Sequence, residues 1–204
     1  MKISLITTTF NSVKTLKSTL DSVKSQTYAD IEYIIVDGGS TDGTLELIES
    51  YASIVTKSIS EPDEGIYDAI NKGIKLASGD VIGLLHSDDF FASNQVLQII
   101  ADTFQEHNID AVYGDLQYVD AQHTDKVVRN WVSGTYKKGM FYKGWMPPHP
   151  TFFVKKGIYE QYGKFNLELK SAADYELMLR FIHKHECSIS YLPHVIVKMR
   201  VGGV

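Results

Sequence analysis

Residues 31–37, Ile-Glu-Tyr-Ile-Ile-Val-Asp, are apolar at nearly every position and end on a carboxylate. A strand with one solvated face alternates apolar and polar residues, so a run this continuous fits a parallel strand covered on both faces. Residues 3–9 (ISLITTT), 53–59 (SIVTKSI) and 81–85 (VIGLL) read as further strands. Helical spacing lies between them. Val13, Leu16, Leu20 and Val23 share one helix face behind a cap at Asn11-Ser12, a Gly-rich turn at 38–43 leads into a short helix over 44–51, and Ile66, Ile70, Ile74 and Ala77 mark a third helix stopped by Gly79. This β-α-β-α-β-α-β order predicts an α/β fold, a mostly parallel central sheet flanked by helices. A helix over 94–107 follows, and then the pattern shifts to a smaller mixed β region. There, 111–120 and 126–132 form a hairpin, 151–156 a strand, 173–185 an amphipathic helix, and two strands lie near Ile189 and Val195.

At 204 residues the chain suits a single domain of two halves, 1–100 and 101–204, with neither an internal repeat nor a linker between them. The net charge of −5 is unevenly shared: 7 Lys/Arg against 14 Asp/Glu in the first half, 13 against 11 in the second. An acidic half argues against nucleic-acid binding, which needs a basic face to meet phosphates. It suits a site for a divalent cation. The lone Cys187 excludes an internal disulfide and a thiolate metal cluster. The first residues, MKISLITTTFN, carry one basic residue and too short an apolar stretch for a signal peptide or a membrane span, so a cytoplasmic location is expected.

In this order of elements three acidic signals fall at one edge of the sheet. Asp37 ends the second strand, Glu61 and Asp63 follow the third, and Asp88-Asp89 follow the fourth in LLHSDDFF. Any one of these is explained equally well as a turn or cap residue. Together they point to a ligand beyond the carboxyl ends of the strands, where α/β sheets bind nucleotides and phosphorylated molecules. Vicinal carboxylates repel unless a proton or cation intervenes, and such hard oxygen ligands suit Mg²⁺ or Mn²⁺ together with phosphate oxygens. The turn DGGSTDG has no G-x-G-x-x-G spacing and starts with an acid where a pyrophosphate would lie, so a dinucleotide fold is not supported, and no Walker motif is present. A phospho-receiver domain carries its paired acids after the first strand, not the fourth.

Taken in sequence, LITTTFN, IIVDGGSTDGT, EPDEGIYDAINKGIKLASGDVIGLLHSDD and SAADYELMLR resemble the successive motifs of inverting family 2 glycosyltransferases with the GT-A fold. GWMPPHPTFFVKK and YLPHVIVKMRVGG are similar to the branch that builds bacterial surface polysaccharides, capsules or lipid-linked O-antigen. The resemblance covers essentially the whole chain. It implies metal-dependent transfer of a sugar from a nucleotide-diphosphate donor, a UDP-sugar, to a hydroxyl of a glycan or lipid-linked saccharide. By the same resemblance Thr7, Thr8, Thr9 and Phe10 line the nucleotide base, Asp37 accepts a base N–H, and Asp63, Gly65 and Asn71 shape the nucleotide and ribose pocket. Asp88 matches the metal ligand of the D-x-D motif, Asp89 the acid that supports the sugar or the metal site, and Asp174 the catalytic base, where a helix N-terminus would also favour an acid. The cofactor implied is Mn²⁺ or Mg²⁺.

Two positions depart from the family pattern. His86 stands where an acid is common, and three roles stay open for it: contact to the donor phosphate or sugar, packing, or direct ligation, for which imidazole suits Mn²⁺ better than Mg²⁺. Ala173 precedes Asp174 where many relatives carry Glu. His149, held between prolines, is expected to touch acceptor or diphosphate unless it is a satisfied structural histidine, and Arg200 to meet the donor phosphates. His194 aligns loosely with a metal-binding histidine of some relatives. The Tyr- and Lys-rich segment 136–145 reads either as an acceptor or membrane-edge surface, consistent with peripheral association at the inner face of the cytoplasmic membrane, or as a solvated loop. The family pattern continues beyond Val204, so a missing C-terminal segment is expected. Two rival functions are a sugar nucleotidyltransferase, for which TTTFNSVKT lacks a basic Gly-rich loop, and a catalytically inactive nucleotide-sugar-binding protein.

Overall fold

In the computed structural model, which describes residues 1–202, a single nine-stranded sheet runs through the protein in the order β3-β2-β1-β4-β8-β6-β9-β5, with β7 paired to β6. The expectation about what lies past the chain end concerns Gly203, Val204 and beyond, outside the described residues. β1 (Ile3–Thr9), β2 (Ile31–Asp37), β3 (Lys57–Ser60) and β4 (Val81–Leu84) are parallel, with β1 between β2 and β4. Their side chains alternate between two cores. Ile6, Ile34, Val36, Ile82 and Leu84 face one, against α3 (Ile66–Leu76) and α6 (Ala173–Met178). Ile3, Leu5, Tyr33, Ile35 and Val81 face the other, against α1 (Leu16–Lys24), α2 (Thr44–Ser50) and α4 (Val96–Glu106). Burial on both faces is why these strands read as unbroken apolar runs.

The second half adds β5 (Phe90–Phe91), β6 (Ala111–Val119), β7 (Val127–Trp131), β8 (Phe153–Lys155), α5 (Lys156–Tyr162) and β9 (Ile189–Arg200). β8 lies antiparallel between β4 and β6 and joins the two halves. Gly83 makes this junction possible: a Cβ there would sit 2.1 Å from the Phe153 ring, which lies directly on the strand.

Several boundaries differ from the sequence expectation. β3 starts at Lys57 rather than 53, because residues 51–55 close turns onto the Tyr51 carbonyl. Asn11 and Ser12 do not cap α1, which begins at Leu16; the Asn11 carboxamide accepts the Thr41 N–H (2.9 Å) and the Ser12 N–H reaches Thr44 Oγ1 (2.9 Å), tying the end of β1 to the β2–α2 loop. The two C-terminal strands are one, β9, whose register against β6 slips around Pro193, a residue with no N–H for the ladder. The helix at 173–185 is α-helical only to Met178 and continues as a π-turn over Leu179–Lys184. β5 and α5 carried no sequence signal strong enough to assign.

At the amino-terminal edge of the sheet Glu32, 4% exposed, binds four donors: Ser4 Oγ (2.5 Å), Lys57 Nζ (2.7 Å), and the Ser78 N–H and Oγ (both 2.7 Å). Burial alone would raise its pKa; the Lys57 ammonium and the serine donors outweigh that and hold it at about 2. Lys57 is 39% exposed, so water screens the pair in part. Glu32→Gln should cost about 2 kcal/mol at pH 7, a fall in Tm of roughly 4–8 °C for a domain of this size. A carboxylate with a depressed folded-state pKa stabilises above its unfolded value and loses that contribution as pH falls, here from 4.5 towards about 2. Thermal melts at pH 7, 4.5 and 2.5 check this, and a wild-type–variant gap that does not shrink in acid would refute it.

Candidate functional site

The carboxyl ends of β1–β4 share one edge of the sheet, with Thr9 paired to Asp37 and Asp37 to Ser60 at the strand tips, and the space beyond that edge is the candidate cleft. Asp37 is 1% exposed and accepts from the Gly39 and Ser40 N–H groups (both 2.9 Å), Ser40 Oγ (2.5 Å) and Ser60 Oγ (2.6 Å). It shapes its own loop. Thr7 is turned inward, its hydroxyl 3.0 Å from Tyr33 Oη; Thr8 and Thr9 are buried, and Thr9 Oγ1 has no partner among the described residues. Phe10, just past β1, is 62% exposed.

Phe10 and Asp63 converge on Gly38. A Cβ at Gly38 would stand 2.7 Å from Asp63 Oδ2 and 3.3 Å from the Phe10 ring, so only a glycine lets the carboxylate and the aromatic ring close onto the backbone there. The other Asp63 oxygen accepts the Gly65 N–H (2.9 Å), and Gly65, at φ 112°, leads into α3. Glu61 points elsewhere, pairing with Lys72 at 2.9 Å. Asn71 is set apart from the cleft: its amide donates to the Phe165 carbonyl (2.9 Å) and accepts the Phe165 N–H (3.0 Å), pinning the loop after α5 to α3.

The turn after β4 carries the second cluster. Asp89 is 1% exposed, and neither carboxyl oxygen has a hydrogen-bond partner among the described residues. Burial, and then the neighbouring Asp88 charge, push its pKa well above the carboxylate range, with Arg200 opposing weakly. Arg200 reaches back from the end of β9 to the Asp88 carbonyl and to Ser18 Oγ (2.8 Å), and its guanidinium stacks 5.0 Å from the Phe90 ring. Among the described residues no three His, Cys, Asp or Glu side chains gather as a preformed metal cage. That donor set still fits Mg²⁺ or Mn²⁺, which are commonly held by one or two carboxylates and completed by substrate phosphates and water. Asp88, half-buried beside the buried Asp89 carboxyl, would be the residue to hold such an ion.

Across the cleft the structure joins residues from both halves. His86 Nε2 lies 3.1 Å from His149 Nε2, His149 Nδ1 lies 3.2 Å from Asp174 Oδ2, and Tyr67 Oη lies 3.1 Å from Asp174 Oδ1. Sequence reasoning singled out three of these and missed Tyr67, whose place on the cleft side of α3 is given only by the packing of that helix on β1. Burial raises the Asp174 pKa, but donors from His149, the Tyr175 N–H and Tyr67 outweigh it and hold the carboxyl below its usual range, ionised at neutral pH. Burial, and then the facing His149, push the His86 imidazole down to about 3 and keep it neutral. His194 stands away from this cleft, on an exposed part of β9 beside Ser93 and Ile99.

The aromatic segment divides in two. Phe141, half-buried Tyr136 and half-buried Trp145 pack on one another at 5.2–5.9 Å, with Trp145 Nε1 donating to the Ser133 carbonyl (2.8 Å), so these rings are core. Tyr142 is 82% exposed, next to the exposed Lys143. No helix among the described residues is long and apolar enough to cross a membrane.

Comparison with known proteins adds three findings. The family model described as "Glycosyl transferase family 2" matches residues 4–163. A PGL/p-HBAD biosynthesis glycosyltransferase of Mycobacterium bovis is 30% identical over 205 residues, covering 95% of this chain and 74% of its own length. Among solved structures, S. aureus TarS 1–349 in complex with UDP-GlcNAc superposes with a TM-score of 0.80 at 22% identity over 100% of this chain and 60% of its own, and the mannosyltransferase PcManGT from Pyrobaculum calidifontis, in complex with GDP-Man and Mn²⁺, with 0.69 at 17% over 98% and 56%. The chain thus has the expected GT-A-type fold.

The neutral His86 carries its own test. A histidine with a depressed folded-state pKa lowers stability as pH drops below its ordinary 6.5, because only the unfolded chain then binds the proton. Imidazole NMR on the metal-free protein should show His86 neutral from pH 8 to about 5. Titration of that ring near 6.5 would contradict the geometry.

Proposed function

The chain belongs to glycosyl transferase family 2 and is a glycosyltransferase, and from that premise we propose an inverting, metal-dependent enzyme that moves a sugar from a UDP-sugar to a hydroxyl of a cell-surface glycan or lipid-linked saccharide. The observation that carries this reading is the ionised Asp174 linked through His149 and His86 to the turn that bears Asp88 and Asp89. The acceptor hydroxyl attacks the anomeric carbon as its proton passes to Asp174; the bond from that carbon to the diphosphate oxygen breaks, its electron pair leaving with UDP. From an α-linked donor the product is β-linked.

Asp88 would hold the divalent cation together with the donor's phosphate oxygens, and that ion, when bound, offsets the charge developing on the departing diphosphate. Asp89 backs the metal and sugar site. The exposed Phe10 ring and the Asp63 carboxylate near it suit the base, an aromatic face for stacking and a carboxylate for an N–H. Asp37 and Gly65 set the backbone around it, Thr7, Thr8 and Thr9 support it from within β1, and Asn71 acts at one remove by fixing the loop after α5. Arg200, bound to the Asp88 carbonyl, steadies that turn beside the diphosphate. Exposed Tyr142 and its neighbouring lysines support a peripheral position at the inner face of the cytoplasmic membrane.

A panel of nucleotide sugars with and without Mn²⁺ tests the reading by calorimetry and by UDP release. UDP-GlcNAc, the donor carried by TarS in its complex, heads the panel. Asp88→Asn should weaken Mn²⁺-dependent binding by roughly tenfold or more. Asp174→Asn should bind donor normally and lose roughly 10²–10⁴-fold in transfer. If no nucleotide sugar binds under either condition, the proposal fails; if donor binds but both variants leave glycan synthesis intact, the protein is a nucleotide-sugar-binding protein instead.

A further inference from the structure

We propose that His149 is a positioning residue for Asp174, fixing the plane and ionisation of the carboxylate through its Nδ1–H while His86 fixes the tautomer of His149. The inference rests on the reading of Asp174 as the base. A carboxyl group turns broadly about its terminal torsion unless it is held at two points. Asp174 is held at two: His149 Nδ1 is 3.2 Å from Oδ2 and Tyr67 Oη is 3.1 Å from Oδ1. An ionised carboxylate only accepts, so both partners donate. With its proton on Nδ1, His149 presents Nε2 as an acceptor. The Nε2 of His86 lies 3.1 Å away and donates to it, so the donors run from His86 to His149 to Asp174 in one direction.

The anchoring of His149 is stiffer than a surface histidine needs. Its turn, His149–Thr151, lies among the buried Pro147, Pro148 and Pro150, and Thr151, fully buried, donates to the Pro148 carbonyl (2.8 Å). The His149 side chain is 36% exposed against 18% for Asp174, so the ring borders the open cleft and is not a core packing group. The groups that face Asp174 are His149, Tyr67, His86 and, on its own helix, the Tyr175 N–H. His149 alone combines a direct contact to the carboxylate with a partner that sets its own proton.

The test compares His149→Phe, which keeps a ring and loses the donor, with His149→Asn, whose amide N–H takes the place of Nδ1–H. In the metal-free full chain, ¹³C NMR should show the Asp174 carboxyl titrating about one pH unit higher in His149→Phe and near its wild-type position in His149→Asn. With UDP-GlcNAc and Mn²⁺, His149→Phe should lower kcat for UDP release roughly 10- to 100-fold with KM within about twofold, and His149→Asn should recover most of that loss. An unshifted Asp174 titration in His149→Phe, or an Asn variant no better than Phe, overturns the proposal. If His149→Phe does not fold, the Asn variant decides alone: near wild-type titration and kcat support the proposal, and a kcat as low as that of Asp174→Asn overturns it. If instead Asp174→Asn releases UDP at the wild-type rate, the base assignment falls, a result separate from failure of the His149 variants.

Discussion

A parallel strand covered on both faces has room for charge only at its ends, and this constraint arranges the rest of the molecule. β1 and β4 are buried throughout, and β2 from Glu32 onward. Glu32 is the one carboxylate inside this run, near the amino edge, and four donors satisfy it. Asp37, at the opposite edge, is likewise completed by its own loop and by Ser60 at the end of β3. Asp89 is as deeply buried, and its carboxyl has no partner among the described residues. Of these acids the first two maintain the scaffold, and the last leaves a polar debt that only a proton, a cation or a ligand can settle.

The cleft is built from both halves of the sequence. Tyr67 and His86 come from the parallel half, His149 and Asp174 from the other, and their hydrogen bonds form only because β8 inserts beside β4. The joint is tight: the Phe153 ring lies on Gly83 with no room for a side chain between them. Arg200 adds a second tie, from the last strand to the turn after β4.

Much of this was legible in the sequence, for definite reasons. Continuous apolar runs with helical spacing between them disclosed the parallel half and hence the common edge of Asp37, Asp63 and Asp88-Asp89. The elements that escaped were those made by tertiary pairing: β5 is two residues long and exists because β9 runs past it, and α5 is a short helix set by its packing beneath β8. Site residues show the same division. Asp88, His86 and His149 stand at marked positions and Asp174 is implied by the family resemblance, whereas the contact between the two histidines, and that of Tyr67 with Asp174, spans segments far apart in the chain and has no local signature. The family resemblance puts Asn71 at the nucleotide pocket, whereas its amide bonds the main chain at Phe165. The rings of the aromatic segment were ambiguous for a similar reason, since burial of Phe141 and exposure of Tyr142 depend on a turn that composition does not reveal.

The placement of β8 also governs how the protein comes into being. A ribosome delivers the parallel half first, with β4 as an open edge whose neighbour, residues 153–155, has yet to be made. Until then the nascent sheet presents unpaired backbone groups along an apolar strand, the kind of edge on which chains aggregate. The residues that complete the cleft arrive with, and just after, the strand that seals this edge. Chemical competence and protection from aggregation are thus acquired in the same stretch of synthesis.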